Sequence, residues 1–296
     1  MRCSADPKRT LNPPRPKAGK YPVGSYLARS IVTLFASPAT FVLLFLSMAQ
    51  LPCPPPLEAA VVPVRFIEGV TRGFLLLRTI NGVLIAQGDL FQVVRGAEVE
   101  SRMIFRFKDG SVFDETAIFT QQGVFSMQKY RLVHHGPVFR EDTEISMERA
   151  SGKYRVKTKA RQGGREELLD GTLDLPPDVY NGMVLTVAKN LPPGGSETVH
   201  MVAFTPAPRL IQLEMTPAGE QKVLVGELAK TAVHYVVKPK FGVWLQLFAT
   251  LLGRVPADNH IWIITDGVPA FARFEGSLYV TGPVWLVELE VPRWPE

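Results

Sequence analysis

Residues 98–108 read EVESRMIFRFK, and this stretch limits the fold more tightly than any other. Val99, Met103, Phe105 and Phe107 fall on one side of a two-residue period, and Glu98, Glu100, Arg102, Arg106 and Lys108 fall on the other. That alternation suits a strand with one buried face and one wet face, and it cannot make the apolar stripe of a helix. Asp109-Gly110 then turns the chain into SVFDETAIFT, and Asn81-Gly82 sits between RGFLLLRTI and VLIAQGDLF, a strong short-range hairpin signal. VFSMQKYRLVHH, DTEISMER and KYRVKTKAR continue a meander of antiparallel strands. A second β-rich stretch covers SETVHMVAF, RLIQLEMT, GELAKTAVHYVVK, HIWIITDG, PAFARFEG and VWLVELEV.

Two segments break the pattern. Pro176-Pro177-Asp178 opens a predicted helix to about Leu191, with Val179, Met183, Val184, Val187 and Leu191 as its apolar stripe. Phe241–Leu252 reads as a second helix whose polar residues, Gln246 and Thr250, share one narrow face. A helix so apolar must be buried on most sides, and about 12 residues are too few to span a membrane. The expected fold is mainly β, an α+β protein built on one large antiparallel sheet. That sheet is strongly curved, or a half-barrel, and carries two helices, one packed on its concave face.

The chain organisation follows from charge and composition. Residues 1–30 hold seven Lys/Arg and one acid, a charge of +6, so the whole-chain +5 leaves −1 for the rest. A body without a basic excess gives no electrostatic case for nucleic acid. Residues 31–49 carry no charge and end in Ser47-Met48-Ala49. Residues 1–49 therefore read as a basic leader with a signal peptide cut between Ala49 and Gln50, or as a retained N-terminal anchor. Residues 50–60 are a Pro-rich tether containing Cys53, a candidate lipidation site with a degraded lipobox. Residues 61–296 form a single β-rich domain. It lacks cysteine, so neither a disulfide nor a cysteine metal site can form within it. The expected location is the periplasm, free or tethered, with membrane contact only through the leader or a lipidated Cys53.

No nucleophile elbow, phosphate-binding loop or dinucleotide fingerprint is present. His134 and His135 are neighbours on a strand and point to opposite faces; His200, His234 and His260 are isolated. No metal site and no cofactor is expected. Glu141-Asp142-Thr143-Glu144 and Asp114-Glu115 read as solvated acidic faces. Lys153, Arg155, Lys157, Lys159 and Arg161 line one strand face that could meet anionic headgroups. With a turn at Arg149–Gly152, however, Lys153, Lys157 and Lys159 fall opposite Glu148, Glu144 and Asp142, as a charge-paired hairpin requires.

The leader, the meander, LPPDVYNG (175–182) and WIITDGVPAFARFEGSLYVTGPVWLVELE (262–290) together resemble a group of bacterial exported proteins whose fold is similar to the half-barrel of the periplasmic lipoprotein carriers. The resemblance implies a hydrophobic cavity and carries no catalytic residues over to this chain. The function expected is non-enzymatic binding of a lipid or acyl chain, with Trp244, Leu245, Phe248, Leu252 and Trp262 lining the concavity. A scaffold that binds an envelope protein is the alternative, and a hydrolase without a recognisable motif is a third.

Overall fold

The computed structural model describes residues 61–161, 163–205, 207–240 and 257–291, all within one compact unit, Pro56–Glu296. Fourteen strands run in chain order. They are β1 (Thr71–Thr79), β2 (Leu84–Arg95), β3 (Glu98–Phe107), β4 (Val112–Gln122), β5 (Val124–His135), β6 (Glu141–Glu148), β7 (Lys153–Ala160), β8 (Glu166–Thr172), β9 (Glu197–Thr205), β10 (Ala207–Val225), β11 (Leu228–Lys240), β12 (Asn259–Ile264), β13 (Ala270–Ser277) and β14 (Val284–Glu290). One helix, α1 (Val184–Asn190), lies between β8 and β9.

All fourteen strands join one antiparallel sheet in the order β8-β7-β6-β5-β4-β3-β2-β1-β14-β13-β12-β11-β10-β9. Two meanders thus meet where β1 pairs β14, with Leu75 opposite Leu289 and Thr79 opposite Trp285. The sheet is not closed, and β8 and β9 are its ends. The turns expected from sequence form as written: Gly82 and Gly110 take φ of 84° and 85°, which glycine adopts without steric cost.

Contacts between distant strands bend the sheet back on itself. The rings of Phe107 on β3 and Trp285 on β14 lie 5.5 Å apart, although β2 and β1 intervene. Tyr154 on β7 and Phe204 on β9 lie 6.4 Å apart, although these strands are near opposite ends of the sheet. A flat sheet would separate each pair by at least three strand spacings of about 4.8 Å. The inner face carries one continuous core that includes Leu75, Leu77, Phe105, Phe113, Phe119, Phe125 and Ile261.

The chain between β8 and β9 crosses this core. Tyr180 accepts from the Val62 amide at 2.9 Å and donates to the Phe125 carbonyl at 3.2 Å. Arg149 donates to the carbonyls of Met127, Leu175, Pro176 and Val179 at 2.5–3.3 Å. Val187 and Ala188 of α1 are buried in the core. Asn190 Oδ1 accepts from the amides of Arg65 and Phe66, and Lys189 pairs with the buried Glu68 at 2.6 Å.

The two-helix expectation is corrected here: among the described residues there is a single helix, seven residues long. Residues 176–183 do not form its first turns because their backbone bonds to β9 instead. His200 N donates to Asp178 O, and Tyr180 N donates to His200 O. Asn181 exchanges two further bonds with the Val202 backbone, and Gly182 takes φ +68°, outside helical space. These two turns, bridged to β9 at Val179 and His200, cover part of the β9 edge and satisfy groups that an end strand leaves open. The second predicted helix, Phe241–Leu252, lies outside the described residues, as do the leader, the tether, Ala49, Gln50 and Cys53. No helix among the described residues is long and apolar enough to cross a membrane.

Candidate functional site on the inner face

Strand β4 puts the two acids of Asp114-Glu115 in different environments. Asp114 points outward into a two-pronged ion pair with Arg102, at 2.7 and 2.5 Å. Glu115 shares the inward set with Phe113, Ala117 and Phe119, all buried. The expectation that both acids form a solvated face is therefore corrected for Glu115. The signal was present in the sequence: adjacent strand residues face opposite ways, and Glu115 lies two places from Phe113 and from Ala117.

Glu115 Oε1 accepts a hydrogen bond from the Tyr130 hydroxyl at 3.0 Å. Loss of solvent pushes its carboxyl up to about 7, and the Tyr130 bond only partly offsets that. The same burial, with Glu115 beside it, raises the Tyr130 phenol well above its ordinary range. Tyr130 is wedged from the other side by the crossing chain. A Cβ built on Gly182 would sit 3.2 Å from the Tyr130 ring and 3.1 Å from Ala117 Cβ.

Glu115 ends a strip of partly buried residues that pack against the edge of the core. Met103 is its cross-strand partner, Leu90 is the partner of Met103, Gly73 that of Leu90, and a Cβ on Gly73 would meet Leu289 Cδ1 at 2.8 Å. Each of these residues keeps accessible surface. Leu289 stands opposite Leu75 and reaches Gly73 diagonally. The row on that side (Leu75, Gly88, Phe105, Phe113) is buried, and the row on the other side runs through Gln92, Ser101, Ala117 and Tyr130. From β14 to β4 the strip crosses four strand spacings, about 19 Å along the sheet. Its apolar members are Leu90, Met103 and Leu289; Glu115 closes one end, and Gln92, Ser101 and Tyr130 add polar groups along one flank.

The other titratable groups fall elsewhere. Asp178 Oδ2 lies 2.6 Å from His200 Nδ1, where the crossing chain meets β9, and Asp178 Oδ1 finds no hydrogen-bond partner among the described residues. His134 is clamped between the rings of Phe139 and Tyr279 at 4.6 and 4.8 Å. Burial lowers it to about 4, so it is neutral at pH 7. His234 Nε2 and His260 Nδ1 meet at 2.9 Å, and burial and the His260 charge lower His234. Among the described residues no group of three or more His, Cys, Asp or Glu side chains gathers as a metal site would require.

Of the cavity-lining residues expected from sequence, Trp244, Leu245, Phe248 and Leu252 lie outside the described residues. Trp262 is described, and it faces away from the strip. Its neighbours Ile261 and Ile263 belong to the inner core, so alternation turns Trp262 outward. There it stacks on His234 at 4.5 Å, lies under Arg273 at 4.8 Å and joins a smaller cluster with Val223, Ala232, Ile264 and Ala272.

Fold and site together define an antiparallel β protein whose curled sheet encloses its own crossing segment and leaves an apolar inner strip ending on a desolvated carboxyl. Comparison with protein-family models, with characterised proteins and with solved structures gives no match for this chain.

Proposed function

We propose that this chain is a non-enzymatic binding protein that takes a lipid or acyl chain along the inner-face strip. The ligand's polar end would rest at Glu115 and Tyr130. The observation that carries this reading is the strip itself: Leu90, Met103 and Leu289 keep accessible surface beside the buried row of Leu75 and Phe105 and lead to one carboxyl near neutrality. A protonated carboxyl can donate to an ester, amide or acid oxygen without leaving a bare charge against hydrocarbon. In this reading the curled sheet acts as a half-barrel like that of the periplasmic carriers, and the basic, apolar leader directs export.

Titration with a fluorescent long-chain fatty acid tests it. Saturable binding is expected, with at least a tenfold loss in Met103→Trp and Leu90→Arg variants that keep the wild-type circular dichroism. Binding that both variants retain unchanged would remove the strip from the account.

A further inference from the structure

A second site lies on the opposite face of the sheet, across β4–β8. There a trough of about 730 Å³ is lined by four cations, Lys129, Arg131, Lys153 and Arg155, against two acids, Glu148 and Asp170, a net of +2. The trough is open to solvent along its length.

The cations are placed by register. Thr116, Arg131, Ser146, Arg155 and Asp170 stand opposite one another in turn, across five strands. Arg131 and Arg155 are thus two strand spacings apart, about 10 Å at the backbone, with the Ser146 hydroxyl between them. Arginine side chains starting that far apart can converge on one group held over the serine. Lys129 and Lys153 repeat the arrangement two residues along β5 and β7.

The charges already present do not fill this role. Arg131 pairs with Glu144 at 2.9 Å and Lys129 with Glu148 at 3.7 Å, and all four side chains are 45–59% exposed. Such exposed pairs are weak, and a tighter anion exchanges for them readily. The charge-paired hairpin accounts for Lys157 and Lys159, which stand opposite Glu144 and Asp142. Arg155 stands opposite Ser146 on β6, and its cross-strand acid is Asp170 on β8.

We propose that this trough binds a soluble phosphate-bearing small molecule, with its phosphoryl oxygens over Ser146 between Arg131 and Arg155. Two guanidinium forks match phosphoryl oxygens in pairs, and a hydroxyl donates a further bond, whereas lysine contributes only a point charge. The four cations lie on the outer face of the sheet, while Tyr130, which bonds Glu115 on the inner face, also lines the trough, so the two sites meet at that residue.

Isothermal titration of the full chain with inorganic pyrophosphate tests the proposal, with phosphatidylglycerol vesicles run in parallel. The expected result is submillimolar pyrophosphate binding that Arg155→Glu and Arg131→Glu each weaken at least tenfold. Arg155→Lys, which keeps the charge and loses the fork, should weaken it about threefold, and Ser146→Ala should weaken it by a similar factor. Lys222→Glu, an exposed cation on β10 outside the trough, should leave it within twofold. Thermal unfolding confirms that each variant is folded. No binding at millimolar pyrophosphate would overturn the proposal. So would equal weakening by Lys222→Glu, which marks diffuse charge, and so would binding to vesicles alone, which marks a membrane-facing surface.

Discussion

Glu115 and Tyr130 share a hydrogen bond of 3.0 Å on the face of the sheet that buries the core, and Glu115 is the member that titrates near neutrality. Its folded carboxyl, at about 7, lies above the unfolded value of 4.5, so the native state holds the proton more tightly. The stability this group contributes is complete below about pH 4.5 and is lost as pH rises through 7. The full shift corresponds to at most about 3 kcal/mol.

His134 has the opposite sign. Burial lowers it from 6.5 to about 4, so its contribution is present above pH 6.5 and is lost as pH falls through 4. The two slopes oppose each other between roughly pH 4.5 and 6.5. Urea unfolding across that window should show Glu115→Gln becoming steadily more stable as pH rises, and His134→Phe becoming steadily less stable. Parallel profiles for the two variants would contradict the assignment.

Arg149 holds the crossing chain to β5 through four backbone carbonyls. Burial lowers its pKa, but its ordinary value is high enough to keep it charged at neutral pH. Arg149→Met preserves much of the apolar stem and strips those acceptors of their donor. Each buried acceptor left without a partner costs about 1–3 kcal/mol, so the expected loss is about 3 kcal/mol or more. Denaturant midpoints measure it. Hydrogen exchange should localise the loss to residues 175–183 and to the start of β9.

Gly182 joins a left-handed backbone, φ +68°, to close packing against Ala117 and Tyr130. Gly182→Ala therefore meets both a conformational cost of about 1 kcal/mol and crowding at two buried neighbours. A total near 2 kcal/mol is expected from thermal unfolding. Gly194 has the same φ with open space around a built Cβ, so Gly194→Ala should lose only the conformational part.

Much of the sheet was legible because its pairing is local. The turn at Arg149–Gly152 forms, and Glu144 and Asp142 stand opposite Lys157 and Lys159 as charge pairing requires. The joining of β1 to β14 was not legible. Thr79 and Trp285 come together only when the two meanders dock, and neither local sequence carries the other's register. The 176–183 segment was misread for a related reason. Its apolar spacing fits a helix, but β9 offers its backbone a better set of partners. Chain adjacency groups Glu115 with Asp114, whereas the period-two face it shares with Phe113 and Ala117 is the stronger signal. Trp262, expected among the cavity-lining residues, lies on the outer face because Ile261 and Ile263 take the inner one.

Native mass spectrometry of the chain, purified from an exporting host without detergent and paired with a solvent extract of the same sample, tests the central claim most directly. The account predicts an added mass in the lipid range, recovered in the extract and absent from a folded Met103→Trp variant. A bare polypeptide mass for the folded wild-type chain, with nothing of lipid mass in the extract, would contradict it.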